Sequence, residues 1–478
     1  MEKQLSENKM GVMPVGRLLF NMAGPMIVSM LVQALYNVVD SVFVAQLNED
    51  ALSALSLAFP MQNFMIAVGT GLGVGVNALI SRSLGERRQE AANGYAMQGL
   101  LLAGISYAVF LLIGLLGAGA FISAQAGGMA RIASYGEVYL RICCACSFGF
   151  FAQITLERIL QSTGRTMLTM ITQSTGAVIN IILDPILIFG LLGAPKLGVA
   201  GAAIATVIGQ CAAALLALFM NLRFNSDVQL RVKLLRPHRE YLAQILMIGI
   251  PSVLMVSISS VMTFCMNKIL IVFTSTAVAV FGVYFKLQSF IFMPIFGLNN
   301  GLVPIVSFNY GARHRERMER AVRLAYITAE VIMIIGLAIF QLVPDKLLFL
   351  FGGSADMLSI GVPALRIIST SFLFAGIAIV SSSVCQALGR GNVQPCGVVR
   401  TADCSFSTCG VSAVSPGAVE LGVAGLPHCG GGLHNPGVVL RSPDHTASGL
   451  DQTNRRDGII NYRSNTPAAH QGCRGVAL

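Results

Sequence analysis

The sequence contains no tryptophan, and only 11% of its 478 residues are charged. Soluble domains carry about 25% charged residues, so this deficit points to lipid as the solvent. No Walker sequence or other phosphate-cradling glycine loop occurs, which leaves transport driven directly by ATP without a signal. The first 16 residues are polar and lack the short apolar core and small-residue cleavage site of a secretory signal, so the first apolar segment is expected to be retained. From Gln394 onward other things vanish: no methionine, no lysine and one phenylalanine, Phe406, remain, while His428, His434, His445 and His470 all fall there.

Long apolar segments dominate what is there. The chain is 54% hydrophobic with a mean hydropathy of +0.71. A helix crosses the hydrocarbon core with about 20 apolar residues. Ten spans are predicted, near 16–45, 51–80, 94–120, 133–162, 167–193, 197–222, 241–272, 277–308, 320–343 and 359–388. The net charge of +10 does not indicate nucleic acid, because the basic residues sit in short loops between spans. Arg82, Arg87 and Arg88 form one cluster, and Arg223, Arg231, Lys233, Arg236 and Arg239 a second. Arg313, Arg315, Arg317, Arg320 and Arg323 form the third. Basic residues in short loops mark the cytoplasmic side, which places the N-terminus inside. Arg131 is an exception on the other side.

The two halves align with an offset of 226. Pro25 matches Pro251, Phe59 matches Phe285, Gln62 matches Gln288, Gly71-Leu72 matches Gly297-Leu298, Gly75 matches Gly301, Ser81 matches Ser307 and Gly85 matches Gly311. With one residue of drift, Gln161, Gly164 and Arg165 match Gln386, Gly389 and Arg390. Six spans return the chain to its starting side, so the halves are expected to be parallel repeats about an axis along the membrane normal, enclosing a cavity. The domains read as an N-terminal lobe of six transmembrane helices over 1–222, a basic linker over 223–240, a lobe of four helices over 241–393 and an irregular tail over 394–478. The tail's 85 residues equal two spans and a short terminus in length but not in hydropathy, which is what an out-of-frame reading leaves.

Charged residues inside spans are costly and therefore functional candidates. Asp40 lies deep in the first span, with Tyr36 and Asn37 four and three residues before it on one helix face. Asp184 lies in the fifth span, four residues after Asn180 and just before Pro185. Two carboxylates with amide and phenol neighbours suit a proton or a sodium ion. Lys286, in the eighth span, is a candidate substrate contact or charge partner, with snorkelling to an interface as the alternative. Gln62 and Gln288, paired by the repeat, are candidate polar cavity groups. Pro25 and Pro251 are expected to permit helix bending. Arg141 and Glu157 read as rim or packing residues of the fourth span, and Gly71-Leu72-Gly73-Val74-Gly75 as close helix packing. Cys404, Cys409, Cys429 and His434 offer zinc-like gaps, but the surrounding sequence matches no zinc module, so no metal site is expected.

These residues resemble the multidrug and toxin extrusion (MATE) family over about residues 10–393. The likeness is carried by Leu35-Tyr36-Asn37-Val38-Val39-Asp40, Ile179-Asn180-Ile181-Ile182-Leu183-Asp184-Pro185, Leu197-Gly198-Val199-Ala200-Gly201-Ala202-Ala203-Ile204-Ala205-Thr206 and Gln386-Ala387-Leu388-Gly389-Arg390-Gly391. It implies an all-α polytopic membrane protein, a two-lobe bundle of six-helix repeats. It further implies a monomeric antiporter of the plasma (inner) membrane that is not an enzyme and needs no cofactor beyond a coupling ion, H+ or Na+. Small organic, often cationic, compounds would be its substrates and membrane lipid its surroundings. In the branch with acidic sites in the N-terminal lobe, the matching positions are Tyr36, Asp40, Asn180 and Asp184; the acidic positions of the other branch are empty here, since 248–273 and 359–386 hold no carboxylate. The departure is the absence of helices eleven and twelve from the sequence after 393. Two alternatives stand beside this reading. One is a lipid-linked oligosaccharide flippase of the same superfamily, whose cavity should be strongly cationic. The other is an inactive truncated or frameshifted transporter.

Overall fold

Long apolar runs in lipid can satisfy their backbone N–H and C=O groups internally by forming α-helices. The computed structural model describes residues 8–47, 49–126, 129–273, 275–349 and 355–389, and among these it holds helices and no strand. The tail from 394, with its cysteines and His434, lies outside the described residues. A short α1 (Lys9–Val12) precedes α2 (Val15–Ala45), α3 (Glu49–Gly85), α4 (Gln89–Leu112) and α5 (Ala118–Gln125). Then α6 (Ala130–Ala145), α7 (Phe148–Ser162), α8 (Thr166–Phe189) and α9 (Val199–Phe224) complete the first lobe. The second lobe comprises α10 (Arg239–Phe273), α11 (Ser275–Gly311), α12 (Arg315–Leu342), α13 (Pro344–Phe349), α14 (Ala355–Ser369) and α15 (Phe372–Ala387).

Eight helices among the described residues are long and apolar enough to cross a membrane, and ten spans result when α6 with α7 and α14 with α15 each count as one. Both of those pairs bend by 47° at their break. A serine sits at each break, and its hydroxyl bonds a carbonyl three residues back: Ser147 to Cys144 at 2.8 Å and Ser371 to Ile368 at 2.7 Å. Such local bonds compete with the helix ladder and bend it.

The sequence repeat is also a repeat in space. Arg87 and Arg313, mates at the offset of 226, both adopt positive φ, 57° and 58°, in the turns after α3 and α11. Ser81 donates to Ser162 O at 3.0 Å, and its mate Ser307 donates to Ala387 O at 2.9 Å. The lobes meet where α2 and α3 pack on α10 and α11. A Cβ on Gly85 would lie 2.1 Å from Phe308 O, and one on its mate Gly311 would lie 2.2 Å from Arg82 O. Residues 82 and 308 are mates as well. Likewise a Cβ on Gly71 would lie 2.7 Å from Val253 N, and one on Gly297 would lie 2.7 Å from Ile27 N. Each contact thus recurs with its partners exchanged, as a twofold axis requires.

The two predicted bending prolines sit on this seam. Pro25 lies between Ala23 and Ile27, which touch Gly301 and Gly297, and Pro251 lies between Gly249 and Val253, which touch Gly75 and Gly71. The helix α2 continues through Pro25. Proline has no N–H to give the carbonyl four residues earlier. That carbonyl, Asn21 O, instead accepts from the Thr166 hydroxyl of α8 at 3.4 Å. All these lobe-to-lobe contacts fall in the halves nearer the basic loops. In the opposite halves of the same helices Leu35, Phe59 and Phe290 are exposed.

The first described residues tie both lobes together at the basic end. Met10 is fully buried. Asn8 Nδ2 donates to Thr163 O on the first lobe and to Asp227 Oδ2 of the linker, each at 3.3 Å. Arg317 of the second lobe donates to Met10 O at 3.2 Å and Met13 O at 2.6 Å. The basic linker is anchored too, because Gln98 Nε2 donates to Leu234 O and Arg236 O at 2.9 and 2.8 Å.

Gly85→Ala places a methyl group against backbone that has no room for it, and overpacking of this kind costs about 1–3 kcal/mol. A lower melting temperature in detergent is expected. Gly104→Ala, with nothing within 4 Å of the added carbon, is expected to change it little. Equal losses in both variants would contradict the seam described here.

Candidate functional site

Asp40 on α2 and Asp184 on α8 come together inside the first lobe, with their carboxyl groups close enough to interact directly. Two carboxylates have acceptors only. Such a pair can share a proton or hold a cation between its oxygens. Asp184 is fully buried and Asn180 is 3% exposed. With its amide oriented to satisfy both neighbours, Asn180 donates to Asp184 Oδ2 at 3.2 Å and accepts from the Thr206 N–H at 3.1 Å and the Thr206 hydroxyl at 3.2 Å. Asp40 Oδ1 is buried with no hydrogen-bond partner among the described residues. A buried orphan acceptor is costly, and a cation or a proton is what could satisfy it.

Helix geometry explains the grouping. On α8 the residues at 166, 169, 172, 176, 180 and 184 are all buried, a stripe with steps of three and four. That stripe brings Asn180 and Asp184 onto the face that meets α2 and α9. Tyr36, one turn before Asp40, interacts electrostatically with both carboxyls and with Cys143. Gln62 Nε2 donates to the Tyr139 hydroxyl at 3.2 Å, and Tyr139 in turn interacts with Asp40 and Tyr36.

The structure thus gathers Tyr36, Asp40, Gln62, Asn180 and Asp184. Asn37 is on the same helix but exposed. Lys286 and Gln288 belong to the other lobe, on α11, the first exposed and the second half-buried. Tyr139 and Thr206 join the site without having been expected from the sequence. Neutral hydroxyls in apolar helices carry no cost large enough to flag them. Their only sequence signals are helical spacing from Cys143, in the case of Tyr139, and a place in the run after Gly201, in the case of Thr206.

Of the two readings given to Glu157, rim or packing, the structure fits the second. The residue is 2% exposed, and its carboxylate accepts from Gln153 at 3.0 Å, Thr172 at 3.1 Å and Gln173 at 2.7 Å. It sits near the end of its helix, where hydropathy alone does not tell a packed face from a wet one. Arg141 behaves as expected of a rim residue, paired with Glu137 at 2.7 Å and half exposed. Among the described residues no cluster of three or more metal-binding side chains occurs.

Comparison with known proteins agrees with this geometry. The family model MatE matches residues 25–186 and 251–395. The multidrug export protein MepA of Staphylococcus aureus strain MSSA476 is 28% identical over 382 residues, which cover 79% of this chain and 83% of that protein. A crystal structure of MATE in complex with MaD3S superposes with a TM-score of 0.80 at 25% identity, over 86% of this chain and 91% of that one. An outward-facing multidrug resistance MATE family transporter superposes with a TM-score of 0.79 at 26% identity, over the same shares. The matched segments run through both lobes and contain Asp40, Asn180 and Asp184, and this chain belongs to the MATE family of transporters.

Proposed function

We propose that this chain is a secondary active multidrug exporter, moving small organic, often cationic, compounds out of the cell in exchange for protons or sodium ions. The observation that carries the reading is the Asp40–Asp184 pair, drawn from two helices of one lobe and brought together inside a membrane-spanning bundle. The basic loops support a plasma-membrane orientation with those loops and the N-terminus on the cytoplasmic side. The family and the MepA relatives support export as the direction and multiple drugs as the cargo.

The chemistry follows from charge. Two carboxyl groups in contact repel when both are ionised, and a proton or a sodium ion between them relieves the repulsion. Uptake of one cation therefore changes how tightly α2 is held against α8. The same α2 runs without a break from Asp40 back to Ala23 and Ile27, which touch the other lobe's backbone. A change at the pair is thereby felt at the seam, and the cavity's access can follow the charge. With the lobes closed toward the basic loops, the arrangement corresponds to a cavity accessible from the opposite side, as in the outward-facing relative.

Asp40→Asn and Asp184→Asn are each expected to abolish the drug resistance that the intact chain confers on a pump-deficient host, at unchanged amounts of protein in the membrane. Resistance retained by either variant would count against the pair as the coupling site. Thr206→Val removes the hydroxyl that bonds Asn180, a loss of about 1 kcal/mol for one hydrogen bond. Slower transport and a lower melting temperature are expected, with both restored in Thr206→Ser.

A further inference from the structure

The helix α7 carries two adjacent charged residues, Glu157 and Arg158, 2% and 8% exposed, in a segment that forms part of a membrane span. Burial at that depth is expensive, and the carboxyl pair just described makes no use of either residue. They reach in different directions. Glu157 turns into its own lobe, to Gln153, Thr172 and Gln173. Gln173 accepts a hydrogen bond from Ser29 of α2. Arg158 turns outward: its Nη1 donates to Gln161 Oε1 at 2.9 Å and to Asn300 Oδ1 of the other lobe's α11 at 2.8 Å.

Gly73 of α3 opens the way for that arginine, since a Cβ there would lie 2.9 Å from Arg158 Cγ. A polar chain therefore runs from Ser29 on α2 through Gln173 on α8 and the Glu157–Arg158 dipeptide on α7 to Asn300 across the seam. The repeat provides an internal control. At the drift-corrected offset the mates of Glu157 and Arg158 are Ser382 and Ser383, and the mate of Gly73 is Asn299. The second lobe builds the same helices without a charged pair here, so the packing of the lobe does not demand one.

We propose that Arg158 is a positioning residue for transport. Its bond to Asn300 holds the lobes together on the basic-loop side in this conformation and must break when they rock apart there, while Glu157 and Gln173 tie that bond to α2, the helix of Asp40. The acceptor is a neutral amide. A carboxylate there would add a direct attraction between opposite charges in a low-dielectric setting, which would make a reversible contact a lasting one. The inference rests on the reading of the chain as an alternating-access exporter.

The decisive variant is Asn300→Asp, tested in the full chain reconstituted in lipid vesicles. Distances between spin labels on the two basic loops, one per lobe, report closure; efflux of ethidium, a fluorescent organic cation, reports transport. The labels are expected to show the closed distance only, with ethidium binding kept, the melting temperature not lowered and efflux slowed about tenfold, the effect of about 1.4 kcal/mol. Adding Arg158→Gln to this variant removes the positive partner and is expected to release the lock and recover part of the rate. Wild-type distances and efflux in Asn300→Asp would overturn the proposal, and so would a lock that persists without the arginine. The distance readout separates this inference from the coupling site. Asp40→Asn is expected to stop ion-driven efflux without fixing the labels closed, so either result can fail alone.

Discussion

Lipid does not drive helices together as water does, so two lobes in a membrane must be joined by atoms in direct contact. In this protein those atoms are backbone. Gly85 and Gly311, with Gly71 and Gly297, let α3 and α11 rest on the main chain of the facing lobe at distances no side chain would permit. Everything else is arranged around that contact. The prolines of α2 and α10 lie on it, the buried N-terminal turn covers its basic end, and the helices that bear the site radiate from it. Dispersion between closely fitted surfaces is short-ranged, so a small displacement forfeits much of it. A seam of this kind holds firmly when fitted and lets go when displaced, which suits lobes that must move as bodies.

Polar groups follow a related logic. Many hydroxyls and amides in the bundle find a partner, and a buried charge marks a place where something can be bound or moved. Thr166 bonds the carbonyl that Pro25 leaves free. Ser147 and Ser371 bend their helices in the same way in the two lobes. Asn180 is satisfied by Asp184 and Thr206. Asp40 Oδ1 is one of five buried side-chain atoms without a partner among the described residues, and it lies in the carboxylate pair; α7 carries a pair of charges that the matching helix α15 lacks.

Much of this was legible in the residues. Apolar runs separated by basic loops are enough to find ten spans, and identities at a constant offset are enough to predict two parallel units. The cost of burying charge and spacing along a helix join Tyr36 to Asp40 and Asn180 to Asp184, while the resemblance to the family implies that the two pairs share one site. What escaped is of two kinds. Bends made by a serine hydroxyl depend on one local hydrogen bond and leave hydropathy untouched, so the fourth and tenth spans each read as one helix. Contacts between helices distant in sequence, such as Gln62 with Tyr139 or Arg158 with Asn300, depend on how rods are rotated about their axes. A single sequence fixes that rotation only where a charge or a glycine stripe constrains it.

The exchange of partners across the seam carries one more consequence. Gly85 meets the carbonyl of residue 308 while Gly311 meets that of residue 82, and 85 is to 311 as 82 is to 308. An interface in which one patch binds a second copy of itself is isologous, the form that twofold homodimers use. The surface between these lobes is therefore of the kind a single six-helix protein would present to its own twin, with a covalent linker now standing in for concentration. Once the two copies share a chain they are free to diverge. One lobe could then take on the carboxylates and the arginine while the other kept the complementary face.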